Sequence, residues 1–240
     1  MTKRRQTPQE QQFDEARRSV LGCTTAEYVA DAPFVFADRI MTTGALVRIE
    51  LFKKAMSIPG AIIECGVYKG NSLMLYYHMS MILEPYAINR SIIGFDTFEG
   101  FRSIDPEKDP NDINPDMFSD TSEHYIQNMI DAHDLVRPAN RIPRCEIIKG
   151  DIVKTVPGFI KTRPDLIVAM LILDTDLYEP TKVALETFLP LMPKGAIVVL
   201  DEVAYRNFSG ETTALKEIVD LNKIRLKKIP YAPTVGYFRV

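Results

Sequence analysis

The sequence predicts a doubly wound α/β fold. From residue 43 onward, short apolar runs alternate with stretches whose apolar residues recur at helical spacing. Two of the runs, LIVAMLIL at 166–173 and AIVVL at 196–200, are apolar throughout. That is the composition of parallel strands covered on both faces. Strand–helix alternation in one chain implies right-handed βαβ units around a parallel sheet.

Taken in order, residues 1–20 are polar and read as frayed or loosely helical, with the basic triplet at 3–5 as a solvated tail. Residues 1–40 are an N-terminal tail or helical elaboration, and 41–240 form the main domain. A helix over 43–57 carries Leu46, Ile49, Phe52 and Met56 on one stripe, and Pro59 with Gly60 stops it. A buried strand follows at 61–66, a helix at 71–83 and a second strand at 91–96. Residues 102–124 are rich in Asp, Pro, Asn and Ser and form a long loop, a length that in compact domains is usually functional. A helix over 122–136 precedes the strand at 145–151. The apolar strand at 166–174 leads to a helix over 179–192, the strand at 196–202 and a helix over 210–222. Two β-rich stretches, IRLKKIP and TVGYFRV, close the chain.

Composition excludes several functions. The net charge is −3, from 29 basic and 32 acidic residues, which provides no field for nucleic acid. The three cysteines, Cys23, Cys65 and Cys145, are far apart and form no C-x-x-C pair, so neither a disulfide framework nor a cysteine zinc site is expected. No signal peptide is visible, and the longest apolar run is too short to span a bilayer. A cytoplasmic protein that binds neither nucleic acid nor membrane is expected.

In open α/β sheets, ligands sit beyond the C-terminal ends of the strands. The first strand ends in ECGVYKGNS at 64–72. Gly66 and Gly70 allow a tight turn and close approach to a ligand, and the next helix offers its N-terminal amides. The turn lacks G-x-G-x-x-G, and the carboxylate of Glu64 would repel a pyrophosphate but suit an ammonium or sulfonium. The second strand ends at Asp96, a usual partner of a ribose diol, and the third at Gly150 and Asp151, where an adenine amino group could be met. A nucleoside with a cationic amino-acid tail, S-adenosylmethionine, matches all three ends. A nucleotide-dependent oxidoreductase and a cofactor-binding module without turnover are the alternatives.

The segments ECGVYKGNS, GFDTFEGF, LDTDLYEPT and LDE…GET resemble the macrocin O-methyltransferase (TylF-type) family of class I methyltransferases over residues 40–220. The resemblance implies a Rossmann-like, seven-stranded, mainly parallel sheet with an antiparallel C-terminal strand. It further implies a Mg²⁺-dependent O-methyltransferase acting on a hydroxyl of a small polyhydroxylated acceptor, a sugar or a glycosylated metabolite. The cofactor set is then Glu64, Gly66, Tyr68, Gly70, Ser72, Asp96, Thr97, Phe98, Gly150 and Asp151. The chain departs from many members at Tyr68–Asn71 and in having Glu202 and Val203 after Asp201, though a carboxylate pair is kept.

Asp174 ends the strand that begins at Leu166, and Asp201 with Glu202 ends the next. If those strands are neighbours, these three acids are the Mg²⁺ ligands, because hard divalent cations take oxygen donors. A bound cation lowers the pKa of a coordinated hydroxyl. Asp174 and Asp176 are the catalytic candidates, Asp176 as a general base or else as a cap of the following helix. Tyr178, Arg206 and the 102–120 loop are candidates for the acceptor side, with Phe118 and Ser119 in a lid. Thr42 and Thr43 precede the first helix and are candidates to close the methionine side. His78, His124 and His133 read as structural or surface residues. The first 40 residues are free to pack on a second subunit, which makes a homo-oligomer possible.

Overall fold

A computed structural model describes residues 7–240, so the basic triplet lies outside the described residues. The chain forms two compact units, Met1–Leu46 and Val47–Val240.

The first unit holds α1 (Pro8–Gly22), α2 (Ala26–Asp31), α3 (Pro33–Phe36) and the start of α4 (Arg39–Ala55). α1 is a capped helix rather than a frayed tail. Thr7 and Glu10 form a reciprocal capping box, and Pro8 occupies the first helical position, where its missing N–H costs nothing. Arg17 donates from Nε to the Phe36 carbonyl at 2.8 Å, and Tyr28 meets the Phe36 ring edge-on. Thr42 and Thr43 lie inside α4 instead of ahead of it, and the Thr42 hydroxyl donates to the Asp38 carbonyl.

The second unit is built on one seven-stranded sheet: β1 (Ala61–Cys65), β2 (Ile92–Asp96), β3 (Cys145–Lys149), β4 (Val168–Leu173), β5 (Ile197–Leu200), β6 (Lys227–Ile229) and β7 (Ala232–Arg239). The order is β3-β2-β1-β4-β5-β7-β6. β1 to β5 are parallel, and β7 runs antiparallel to both β5 and β6. Helices α5 (Asn71–Leu83), α6 (Glu123–Asp134), α7 (Ile152–Thr162), α8 (Tyr178–Phe188) and α9 (Gly210–Ile218) flank it. α9 stops earlier than its pattern suggests, at a Val219 already in extended backbone.

The side chains of β4 alternate between two cores. Met170 and Ile172 pack on the side of α4 and α5, with Leu51, Phe52 and Tyr76. Leu171 and Leu173 pack on the other side with Val156, Leu185 and Phe188. All six β4 residues are buried, as the unbroken apolar run required. The buried face of α4 is Val47, Leu51, Phe52 and Ala55, rotated from the stripe read in the sequence, and Leu46 is 53% exposed. Among the described residues no helix is long and apolar enough to cross a membrane.

Candidate active site

The strand order makes the β1/β4 boundary the switch point, because the chain leaves β1 towards β2 and β3 and returns to β4 on β1's other side. Ladder bonds run out to the strand tips. Asp174 donates its N–H to the Cys65 carbonyl (2.9 Å), Asp201 to Leu173 (3.1 Å), and Gly66 to Phe95 (2.9 Å). The ends of β2, β1, β4 and β5 therefore lie along one edge, with Asp96, Glu64, Asp174 and Asp201 on it.

Backbone sterics shape the turn after β1. Gly66 has φ +95°, and a Cβ there would lie 1.9 Å from the Asp174 carbonyl oxygen, so only glycine lets the turn press against the exit of β4. Gly70 is also left-handed, at φ +81°, directly before α5. Asp96 holds this turn: Oδ2 accepts from the amides of Val67 (2.7 Å) and Tyr68 (2.8 Å), and Oδ1 from Phe98 (2.7 Å). Thr97 closes its own turn by donating to the Gly100 carbonyl, and Phe98 is buried in the core. Asp151 caps α7 through the Val153 amide and accepts from the Ser103 hydroxyl at 2.8 Å.

Glu64 is fully buried, and neither carboxylate oxygen has a hydrogen-bond partner. Burial pushes its pKa up to about 8, with Arg48 and Ser72 pulling the other way. The Ser72 hydroxyl accepts from Nε of Arg48 and keeps its own O–H free, near enough to lower the Glu64 pKa but outside hydrogen-bond geometry. A buried carboxylate with no partner is costly unless a ligand supplies one, and an ammonium fits it.

A second group of acids lies at the ends of β4 and β5. Asp174 is held well above the ordinary carboxylate range by burial and by Asp201, against the pull of Arg48. Burial raises Asp201 as well. Glu202 is pushed to about 8 by burial, Asp201 and Asp176, and its Oε2 is buried without a partner. Asp176, at φ 62°, is pushed to about 7 by burial and Asp201. These mutually repelling acids carry the oxygen donors a divalent cation takes, so their chemistry fits one. They are not drawn into a finished cage: among the described residues no three acidic, histidine or cysteine side chains stand at metal-ligand spacing. Asp174 instead faces Arg48, with Nη2 3.6 Å from its Oδ2.

Residues 97–122 form a fastened strap over this edge. Phe118 packs edge-on against Tyr68, with ring centroids 5.2 Å apart, and against Phe101. Asp120 accepts from Tyr68 Oη (2.6 Å) and Lys69 Nζ (2.7 Å), and the Thr121 hydroxyl donates to the Tyr68 carbonyl. Further along, buried Asp109 accepts from the amides of Asp105 and Tyr178, both at 2.8 Å. The cap of α8 thus comes from the strap and not from Asp176; Leu177 is the N-cap and offers no side-chain bond. Tyr68, Phe98, Phe118 and Asp176 are all left-handed non-glycine residues, a concentration of backbone strain typical of functional sites.

Tyr178 does not face an acceptor. It is fully buried, lies under Nζ of Lys108 (3.7 Å to the ring centre) and donates its hydroxyl to Glu217. Arg206 is exposed on a short 3₁₀ turn. His78 and His133 meet at 3.1 Å between Nε2 atoms, joining α5 to α6, and His124 touches Asn128 on the surface.

Sequence reading missed two residues of the site. Glu211, fully buried at the start of α9, accepts from the amides of Thr175 (3.0 Å), Asp176 (3.1 Å) and Glu202 (3.2 Å), tying both acidic strand ends to one carboxylate. It lies in the GET segment already noted as a resemblance. Arg48 sits three, four and seven positions before Leu51, Phe52 and Ala55, so a charge in that buried stripe was its signal.

The model of the macrocin-O-methyltransferase (TylF) family matches residues 8–237. A 4'-O-methyltransferase of Streptomyces olivaceus, named for an 8-demethyl-8-(2,3-dimethoxy-alpha-L-rhamnosyl)-tetracenomycin C substrate, is 30% identical over 155 residues, 62% of this chain. The match spans about half of that relative's length, 55%. The solved structure of CalS11, a calicheamicin methyltransferase, is 29% identical, with a TM-score of 0.89 over 98% of this chain and 93% of its own. Its apo form, described as a TDP-rhamnose 3'-O-methyltransferase, gives a TM-score of 0.84 at 28% identity over 98% and 95% of the two chains. The O-methyltransferase NovP shares the fold, at 17% identity and a TM-score of 0.62 over 81% and 78%.

Proposed function

This chain belongs to the macrocin-O-methyltransferase (TylF) family, and on that premise we propose that it transfers a methyl group from S-adenosylmethionine to a sugar hydroxyl, with Mg²⁺ as its metal. The observation that carries the reading is the convergence, at adjacent strand ends, of acids whose pKa values are all held up by burial: Glu64 on β1, Asp174 on β4, Asp201 and Glu202 on β5. Glu64 holds the cofactor's ammonium, which supplies the partner its buried oxygens lack. Gly66, Tyr68, Gly70 and Ser72 form the bed for the cofactor's amino-acid half. Asp96, Thr97 and Phe98, with Gly150 and Asp151, line the nucleoside half. The oxidoreductase alternative fails at the same place, because a buried carboxylate beside the turn opposes a dinucleotide's pyrophosphate.

Asp174, Asp201 and Glu202 would hold the Mg²⁺, whose chemistry is to lower the pKa of an acceptor hydroxyl and fix its direction. Asp176, buried and with a pKa near 7, takes the hydroxyl proton. Glu211 fixes the backbone on either side of these acids. The strap, fastened through Asp109, Asp120 and Thr121, keeps water from the transferring methyl. The acceptor is of the rhamnose class, on the strength of the names of the S. olivaceus relative and CalS11.

The test is methyl transfer from S-adenosylmethionine to TDP-rhamnose, simple rhamnosides and catechol, each with Mg²⁺ and with EDTA. Transfer to a rhamnose hydroxyl that EDTA abolishes is expected. Cofactor binding without transfer to any sugar would favour the binding module, and transfer unaffected by EDTA would remove the metal.

A further inference from the structure

Resting on that reading of the site, we propose that Glu211 is a positioning residue for methyl transfer that acts through Asp176: one of its oxygens keeps the Asp176 backbone in the left-handed turn that aims the base, while the other steadies Glu202. The two oxygens divide the work. Oε1 accepts from two successive amides, Thr175 (3.0 Å) and Asp176 (3.1 Å), and Oε2 accepts from Glu202 (3.2 Å). Asp176 has φ 62°, a conformation that a residue with a Cβ keeps only where its surroundings impose it. Two consecutive N–H groups converging on one oxygen impose it here. Glu211 itself is fully buried, so it reaches the acceptor side through these amides and not by contact.

The segment Gly210-Glu211-Thr212 is fitted to this task residue by residue. A Cβ at position 210 would lie 2.4 Å from the Tyr178 nitrogen and 2.6 Å from the Leu177 carbonyl carbon, so glycine lets the start of α9 press against the turn that follows β4. That close approach brings the Glu211 carboxylate to the two amides. The Thr212 hydroxyl accepts from the Ala204 amide (2.9 Å) and donates to the Glu202 carbonyl (3.3 Å), so the end of β5 is held by the same three residues. On the β4 side the hydroxyls of Thr175 and Thr181 meet at 2.7 Å, and Thr181 donates to the Leu177 carbonyl at 2.6 Å. The residues flanking Asp176 thus have their own fastenings, while the Asp176 amide is bound by Glu211. An amide side chain at position 211 could not serve both ends, because it has one acceptor oxygen and an NH₂ group that only donates. In Glu211→Gln the oxygen satisfies more donors on the paired amides, and the NH₂ then faces the Glu202 N–H, donor against donor.

Kinetics with TDP-rhamnose, calorimetry with S-adenosylhomocysteine and amide NMR on the full chain test this. The proteins are wild type, Glu211→Met, Glu211→Gln, Asp176→Asn and the double variant Asp176→Asn with Glu211→Met. Glu211→Met should lower kcat by about 100-fold, the cost of a base misplaced by an ångström, and leave S-adenosylhomocysteine affinity within about 3-fold. Glu211→Gln should recover all but about 5-fold, the worth of the one bond lost at Glu202. Its Glu202 amide resonance should move while those of Thr175 and Asp176 stay. Once Asp176→Asn has removed the base, Glu211→Met should cost no more than that same factor of about 5, because there is nothing left to aim. A residue that only supports the fold gives its full loss in both backgrounds. That result, or a loss of S-adenosylhomocysteine affinity as large as the loss of kcat, would overturn the proposal and leave the cofactor and base assignments standing. If wild type transfers no methyl group, or Asp176→Asn does so at the wild-type rate, the site reading fails and this inference with it. Should Glu211→Met not fold, the resonances of Glu211→Gln decide: equal displacement of all three amides, or none at Glu202, would overturn the division of work.

Discussion

Arg90 and Glu64 are both buried charges of one sheet, at its opposite edges, and they are treated in opposite ways. Arg90, just before β2, donates to the carbonyls of Gly60, Met56 and Ile58 and pairs with Glu84 at 2.9 Å. Its neighbour Arg144 donates to Ser80 and to the carbonyls of Glu84 and Pro85, and Arg163 pairs with Glu146 and Asp165. At the other edge Glu64 has no hydrogen bond, and the acids of β4 and β5 raise one another's pKa. A buried charge with all its bonds made is part of the scaffold; one left without them stores a demand that a ligand meets. A cavity of about 420 Å³ opens at the satisfied edge, lined by Gly60, Asn89, Arg144 and Arg163, away from every unsatisfied carboxylate.

The contrast breaks most visibly at Asp201. Asp201→Asn should lower methyl transfer by about 1000-fold, several kcal/mol of lost electrophilic assistance, while S-adenosylhomocysteine affinity measured in EDTA changes little. Steady-state kinetics with calorimetry checks this; equal loss of both would give Asp201 a folding or cofactor role. The converse holds at the opposite edge. Arg90→Met strands Glu84 and several carbonyls, so denaturant unfolding should show a loss of about 3–5 kcal/mol, with turnover per folded molecule unchanged.

A smaller effect reads the stored demand directly. Glu64 has a folded pKa of about 8 against 4.5 for the free group, so the folded state binds its proton more tightly than the unfolded chain does. The stability this contributes is complete below pH 4.5 and is lost as pH rises towards about 8. Glu64→Gln should remove that contribution, so in melts without ligand its gain over wild type should grow with pH across this window. Smallest of all is the His78–His133 joint. Burial, with His133 adding to it, lowers the pKa of His78, so stability there is present above the free-histidine pKa of about 6.5 and declines as pH falls below it. Hydrogen exchange in α5 and α6 should rise below that pH in wild type and not in His78→Gln.

Much of this site was legible because strand ends are abrupt in the sequence. Asp174 and Asp201 each stop a continuous apolar run buried on both faces, and a charge ending such a run falls at the sheet's edge. The strand order was not legible as such; alternation implies parallel strands, but only the pairing of β1 with β4 makes Glu64 and Asp174 neighbours. Arg48 was missed because the helical stripe was read out of phase: Leu46 is exposed, and the face through Leu51 and Ala55 carries the arginine inward. Tyr178 was a candidate for the acceptor side, whereas it is fully buried, with Asp109 and Lys108 from the strap against it. Those contacts join residues some 70 positions apart, |i−j| = 69 for Asp109 and Tyr178, and no local pattern records them.

The central claim, that the unsatisfied edge is built for a cationic amino-acid cofactor, is tested most directly by the dissociation constant of S-adenosylhomocysteine for wild type and Glu64→Gln. The account expects binding to wild type and a loss of at least about 10-fold in the variant, the worth of one charge-assisted hydrogen bond. Equal affinity in the two proteins would contradict it.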